Sequence, residues 1–290
     1  MAMSSAWLRG RGAASRWHLW LARRPIGLEG RPGGRRWSVL LVAIGIVAIT
    51  LAFTADHPAI YAVDSWDAST RLVLSWLTEF GGSRAYFLAA AIWLILTGLA
   101  QSWRAFRPAA LVVMLVCGVV LIGLAFGIES DGTRERAGNF YAGLMLLTLA
   151  IGRVGVRFVP VVVLVVVSVA VSGILVNLIK PVVGHTRPKM LLNDGVDEWL
   201  PFSLGYDYGS FPSGHAATAG SVGGAVAMTF PAIRVPILIL STMTASTRVG
   251  TLSHYPSDVV VGLWLGWVTP GVLAGIARRT IRPQSESNSS

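Results

Sequence analysis

Three short polar clusters interrupt an otherwise apolar chain. The first, KPVVGHTRP over 180–188, carries Lys180 and Arg187 just past a long apolar run. An arginine presents a planar fork that matches phosphate oxygens, and a lysine supplies a point charge. Two interface cations reaching toward water give the same pattern. The second, SFPSGHAATAG over 210–220, sets Pro212, Ser213 and Gly214 ahead of a run of small residues. Free backbone N–H groups at such a helix start bind an anion without side-chain charge. His215 then falls in the first turn, beside any anion held there. The third, TRVGTLSHYPSD over 247–258, spaces His254 and Asp258 four apart. With Pro256 in the first turn of a helix, the two share a face. A carboxylate on one imidazole nitrogen fixes the tautomer and raises the basicity of the other. A nucleophilic histidine needs that arrangement; a helix-capping Asp paired with a protonated His is the blander reading. Arg248 adds a third cation.

Taken together, the clusters hold three cations, two histidines, a carboxylate and a helix N-terminus. That inventory suits binding a phosphoryl group, whose transition state spreads charge over its equatorial oxygens, and attacking it. The sequence has no Asp/Glu cluster suited to Mg²⁺. Its one cysteine, Cys117, allows neither a Cys/His zinc set nor an intrachain disulfide. Metal-independent chemistry without a cofactor is the expectation.

The elements that must position these residues are membrane helices. Hydrophobic residues make up 53% of the 290 and charged residues 13%, against roughly 25% charged in soluble domains. Mean hydropathy is +0.62. These values exclude a disordered chain, a coiled coil and a disulfide-rich secreted module. Eight apolar segments fall near 38–55, 85–100, 109–128, 138–152, 158–179, 216–230, 235–247 and 258–277. Those at 138–152 and 235–247 are short for a span of about 20 residues. With a cytoplasmic N-terminus and eight crossings, 16 of the 24 basic residues fall inside, as orientation by basic loops requires. Dropping two adjacent segments preserves that asymmetry, so six spans also fit. The three clusters then share the outer side. The net charge of +10 therefore reports orientation rather than nucleic-acid binding.

The expected fold is all-α: a polytopic transmembrane helical bundle. Residues 1–37 read as a basic cytoplasmic tail, and 38–157 as N-terminal membrane segments. Within the latter, Trp66, Val73, Trp76, Leu77 and Phe80 recur at helical spacing and suggest an interfacial helix near 64–80. Residues 158–277 form the catalytic core, and 278–290 a cytoplasmic tail. Gly220 and Gly224, at GxxxG spacing, suit close helix packing. The loop 188–211 is rich in aromatic and leucine side chains, Trp199 and Phe202 among them. It reads either as a lid admitting a lipid or as an aromatic belt at the interface.

The three clusters resemble the signature of the type-2 phosphatidic acid phosphatase superfamily of integral membrane lipid phosphatases. Lys180 and Arg187-Pro188 match its first motif with the spacing met. Pro212-Ser213-Gly214-His215 match the second unchanged. Thr247-Arg248, His254 and Asp258 match the third, with Thr247 where Ser is usual. The resemblance covers about 158–277 and implies six core spans, leaving two N-terminal segments either as additions or as segments that are not spans. It implies that His254 is the nucleophile, forming a phosphohistidine, and that Asp258 orients it. His215 would protonate the leaving alkoxide and help activate water. Lys180, Arg187 and Arg248 would hold the phosphate oxygens, with Ser213 and the Gly214 backbone.

The expected function is that of a metal-independent lipid phosphate phosphohydrolase, acting on a lipid monophosphate or diphosphate. Phosphatidic acid, phosphatidylglycerol phosphate, a polyprenyl phosphate or diphosphate and lipid A phosphate all fit the motifs. Two alternatives remain open: a lipid-to-lipid phosphotransferase sharing the first half-reaction, and a non-catalytic anion- or lipid-binding membrane protein. The expected partners are the lipid phosphate and membrane lipids, with no nucleic acid. The expected location is a bacterial inner membrane with the site facing the periplasm or exterior.

Overall fold

The computed structural model describes residues 34–84, 86–87 and 159–281, with side chains from 45 and, in the second stretch, over 161–277. The basic tail before residue 34, nearly all of the segment 85–100, the segments 109–128 and 138–152, Cys117 and the tail beyond 281 lie outside the described residues. Among those described, the secondary structure is helical. The one strand-like feature is an isolated bridge between His185 and Trp199. The helices are α1 (Gly34–Asp64), α2 (Ala68–Thr78), α3 (Val159–Val183), α4 (Pro188–Asp194), α5 (Gly214–Thr229), α6 (Arg234–Gly250) and α7 (Pro256–Ile281).

Three helical stretches are long and apolar enough to cross a bilayer: Gly45–Asp64, Val161–Val183 and Pro256–Ala277. They make this a membrane protein. Helices α5 and α6, of 16 and 17 residues, reach only about 25 Å at about 1.5 Å per residue. That is short of an apolar core about 30 Å thick. Helix α2 starts on Asp67, whose carboxylate accepts from the Thr70 amide. Its apolar stripe, Val73, Trp76 and Leu77, is exposed on the protein surface.

Helix α5 is the hub, packed against α7, α6 and α3. Its run of Ala, Gly and Ser lets backbones approach closely, because lipid tails give helices no hydrophobic reason to associate and close packing must hold them together. A Cβ on Gly220 would meet the Leu263 carbonyl oxygen at 2.4 Å, and one on Gly266 the Ala217 oxygen at 2.2 Å. Of the expected Gly220/Gly224 stripe, Gly220 thus meets Gly266 of α7 and Gly224 meets the α7 backbone at Trp267. Across the other side of α5, the buried Ser221 hydroxyl donates to the Ser172 hydroxyl of α3 at 2.8 Å.

Helix α1 fixes the start of α7. Its buried Asp56 accepts from the Ser257 amide at 2.8 Å and from the Ser257 hydroxyl at 2.7 Å. A carboxylate from one helix therefore caps the N-terminus of another. Beneath this joint, Ile60, Val63, Leu191, Leu252 and Tyr255 form an apolar cluster. The C-terminal ends of α3 and α6 and the N-terminal ends of α5 and α7 are thereby gathered at one end of the bundle.

Candidate active site

All eight residues singled out by the sequence converge at that end of the bundle. Lys180 lies in the last turn of α3, within electrostatic reach of Arg187, Arg248 and Asp258. Arg187 occupies the position before α4, without a side-chain cap hydrogen bond. Ser213 caps α5, its hydroxyl accepting from the Ala216 amide at 3.4 Å. The Ser213 amide donates to the Asp258 carbonyl oxygen at 3.0 Å, which ties the start of α5 to the first turn of α7. Gly214 and His215 open α5. His215 is half-buried, with Arg248, His254, Lys180 and Arg84 around it. Gly81 backs it so closely that a Cβ there would lie 3.2 Å from the His215 Cβ.

His254 and Asp258 do pair, but not across a helix face as their spacing suggested. Helix α7 opens on Pro256, so His254 lies in the loop before it. Asp258 instead reaches back from the first turn. Its Oδ2 accepts from the Tyr255 amide at 2.9 Å, as an acid in the first turn of a helix does in a capping box. The same oxygen lies 3.6 Å from His254 Nδ1. The helix capping of the blander reading and the histidine pairing common to both readings are met by one side chain. Ser210 completes the contact, since its hydroxyl donates to Asp258 Oδ2 at 2.5 Å and lies 3.4 Å from His254 Nδ1. Both neighbours of Nδ1 are thus placed to accept, which puts the proton on Nδ1 and the free lone pair on Nε2. Burial holds the His254 imidazolium form down, at about 4, against the opposing pull of Asp258. The ring is neutral at physiological pH.

The three cations are held differently. Most of the Arg187 fork is spent on the protein. Nε donates to the Tyr206 carbonyl at 2.8 Å, one terminal nitrogen to Ser253 at 3.0 Å and the other to Gly209 at 3.4 Å. The guanidinium also stacks 3.9 Å over the Tyr206 ring. Of five N–H donors, two are left over. Arg248 donates to the Thr78 hydroxyl at 3.1 Å, while its Nε is buried with no hydrogen-bond partner among the described residues. A buried charged donor left unsatisfied among the described residues is rare.

Sequence reasoning passed over four contributors. Ser210 stands two residues before Pro212, inside the quoted second cluster. His185 lies inside the first cluster, where a histidine beside a membrane helix was itself a signal. Its Nδ1 stands 3.0 Å from Asp258 Oδ1. Thr78 and Asp197 reach the site only through tertiary contacts. Gly184 makes the turn that carries His185. Its φ is +64°, and a Cβ would fall 1.7 Å from the Leu200 carbonyl oxygen, so only glycine fits.

Residues 161–281 match the PAP2 superfamily. That stretch is less than half of the chain, and in it the chain is similar to that superfamily. The PAP2 stretch runs from α3 through α7 and contains all eight site residues, whereas α1, α2, Asp56 and Thr78 lie before it. Two curated relatives, both lipid A 1-phosphatases, come from Rhizobium etli and Rhizobium johnstonii. Each is 40% identical over 99 residues, which is 34% of this chain and 43% and 41% of their own lengths. The match therefore spans less than half of either relative. No solved structure matches the chain.

Proposed function

We propose that this protein is a lipid phosphate phosphohydrolase working through a phosphohistidine. The observation that carries the reading is the His254 ring: Nδ1 lies beside Ser210 and Asp258, which leaves the lone pair on Nε2, with Arg248 and Arg187 in electrostatic reach of the ring. Lys180, Arg248 with its unpartnered Nε, and the spare Arg187 donors would hold the phosphate oxygens, together with Ser213 and the Gly214 amide at the start of α5. His254 Nε2 then attacks phosphorus, and the bond to the leaving oxygen breaks. His215 gives that oxygen its proton. A phosphate dianion among the cations favours a proton on His215 beforehand. Water next attacks the phosphohistidine, His215 takes its proton, and phosphate leaves with His254 restored. Asp258 stabilises the positive charge that develops on His254.

The phosphate end of lipid A is the first substrate to test, since both relatives carry that activity in their names. The site would face the outer side of an inner membrane, where the basic-residue asymmetry puts this end of the bundle. The experiment is phosphate release by the purified full chain in excess EDTA. The panel is lipid A, phosphatidic acid, phosphatidylglycerol phosphate and undecaprenyl diphosphate, with His254→Ala in parallel. Release from at least one lipid, lost in His254→Ala with the fold retained, is the expected result. Equal turnover by the variant removes His254 as nucleophile, and release that stops in EDTA removes the metal-free mechanism. A ³²P-labelled lipid that loses its phosphate to another lipid rather than to water marks a transferase.

A further inference from the structure

Behind His254, histidines and aspartates alternate toward the surface. Asp258 is fully buried and gives one oxygen to each of two histidines: Oδ2 faces His254, and Oδ1 faces His185 Nδ1 at 3.0 Å. The other ring nitrogen of His185, Nε2, lies 3.2 Å from Asp197 Oδ1. Asp197 Oδ2 meets His57 Nε2 of α1 at 2.5 Å, and the Thr186 hydroxyl approaches Asp197 Oδ1 at 3.5 Å. His254, His185 and Asp258 are almost wholly buried, Asp197 is 20% exposed and His57 49%.

An ionised carboxylate only accepts hydrogen bonds. His185 faces a carboxylate oxygen at each ring nitrogen, so both contacts are hydrogen bonds only if both nitrogens carry protons. The Trp199 ring, stacked 3.8 Å away at 9°, favours a cation there. A buried Asp258 without a counter-charge would be costly, and His185 supplies one.

We propose that His185, held by Asp197, is a positioning residue. As a cation fixed between two carboxylates it locks Asp258 Oδ1, and so presents Oδ2 to the nucleophile. Neither His185 nor Asp197 contacts the phosphate in this arrangement. The inference rests on the reading of His254 as nucleophile.

The test uses the full chain in detergent, with His185→Gln and Asp197→Asn made alone and in an Asp258→Asn background. The second variant is nearly isosteric and partly exposed, so it keeps the test open should the first not fold. Alone, each should lower kcat about 10- to 100-fold with KM nearly unchanged, the scale on which a small misplacement of a reacting group acts. In the Asp258→Asn background neither should cost more than about twofold, because the residue through which they act is already disabled. Equal losses in both backgrounds, or a change in KM alone, would overturn the proposal. Ring ¹⁵N–¹H NMR gives a readout independent of turnover. His185 should carry two N–H protons in the wild type, and the His254 Nδ1–H resonance should move in both single variants. A single proton on His185, or an unmoved His254 resonance, sinks the positioning role whether or not any lipid is hydrolysed. Wild-type protein that releases no phosphate yet shows both NMR signatures would retain the His185–Asp258 coupling and defeat the phosphatase reading instead.

Discussion

Asp258 Oδ1 stands closer to His185 Nδ1, at 3.0 Å, than Asp258 Oδ2 stands to His254 Nδ1, at 3.6 Å. The carboxylate is therefore anchored through Oδ1 by His185, while Oδ2 is held by the Tyr255 amide and by Ser210 and faces His254. On the proposed mechanism its work is orientation of His254 and compensation of the charge formed there, not contact with phosphate.

Asp258→Asn should accordingly lower kcat by about 100-fold or more, as an amide in place of an orienting carboxylate does in a catalytic triad. KM should change little, because ground-state phosphate contacts remain. Asn keeps an acceptor for the Tyr255 amide, so thermal stability should drop only modestly. Asp258→Ala removes the cap as well and should cost about 1 kcal/mol in addition. Steady-state kinetics and thermal denaturation on the two variants check both halves; a loss confined to KM would refute the orienting role.

The His254 imidazole offers a pH prediction. Burial lowers it from an ordinary value near 6.5 to about 4. Between those values the unfolded chain binds a proton that the folded one refuses, so stability rises with pH across the interval. This contribution is fully present above about 6.5 and is lost as pH falls toward about 4. The Tm of the wild type should drop between pH 7 and pH 5, and that of His254→Gln should drop less. An equal drop in both would mean that His254 is not buried as the neutral ring.

The helices and the convergent residues were legible because their causes are local. Apolar length marks α1, α3 and α7, Ser213 and Pro256 mark helix starts, and Gly220 with Gly224 marks a packing face. What was not legible depends on chain reversals. The pairing of His57 with Asp197 spans 140 positions, and no periodicity in either segment points to the other. Arg187 read as a phosphate clamp from its type and spacing, yet most of its donors fold the 206–209 loop and the turn at Ser253. Nothing in a sequence separates an arginine that binds carbonyls from one that binds phosphate. His254 and Asp258 looked like a pair on a helix face because spacing of four suits a helix, but the proline that starts α7 falls between them.

On the proposed mechanism Arg248, with its buried Nε unpartnered among the described residues, is a cation that holds the phosphate. Inorganic phosphate should raise the Tm of the wild type, by the equivalent of about 2.7 kcal/mol at a hundredfold excess over Kd. Arg248→Met keeps the length of the side chain and removes both the charge and the buried donor. Its Tm without phosphate should stay near that of the wild type. The variant gives up the hydrogen bond to Thr78, but it also removes the unpaired Nε, and the two effects oppose each other. The phosphate-induced rise should vanish. A rise that persists at full size would place the anion away from α6.

The geometry of the loop after α4 decides which residues to change in a test of lid against belt. Trp199 was an obvious target from sequence, but it stacks on His185 and lies 5.5 Å from the Phe211 ring. Replacing it would disturb the buried histidine and so mix chemistry with lipid recognition. Phe202 and Leu204, 79% and 82% exposed, belong to the same loop. We expect the double change Phe202→Ser with Leu204→Ser to raise KM for long-chain lipid phosphates about tenfold. That is about 1.4 kcal/mol, less than full burial of one such side chain provides. Turnover of a short-chain, water-soluble phosphate ester should be unchanged, and the ranking among long-chain lipids should shift. Such a result would make the loop a lid whose tip enters the substrate's apolar region. An equal fall for every lipid, long or short, would instead mean that the loop anchors this end of the bundle in the interface, with Phe202 and Leu204 serving the membrane rather than the substrate.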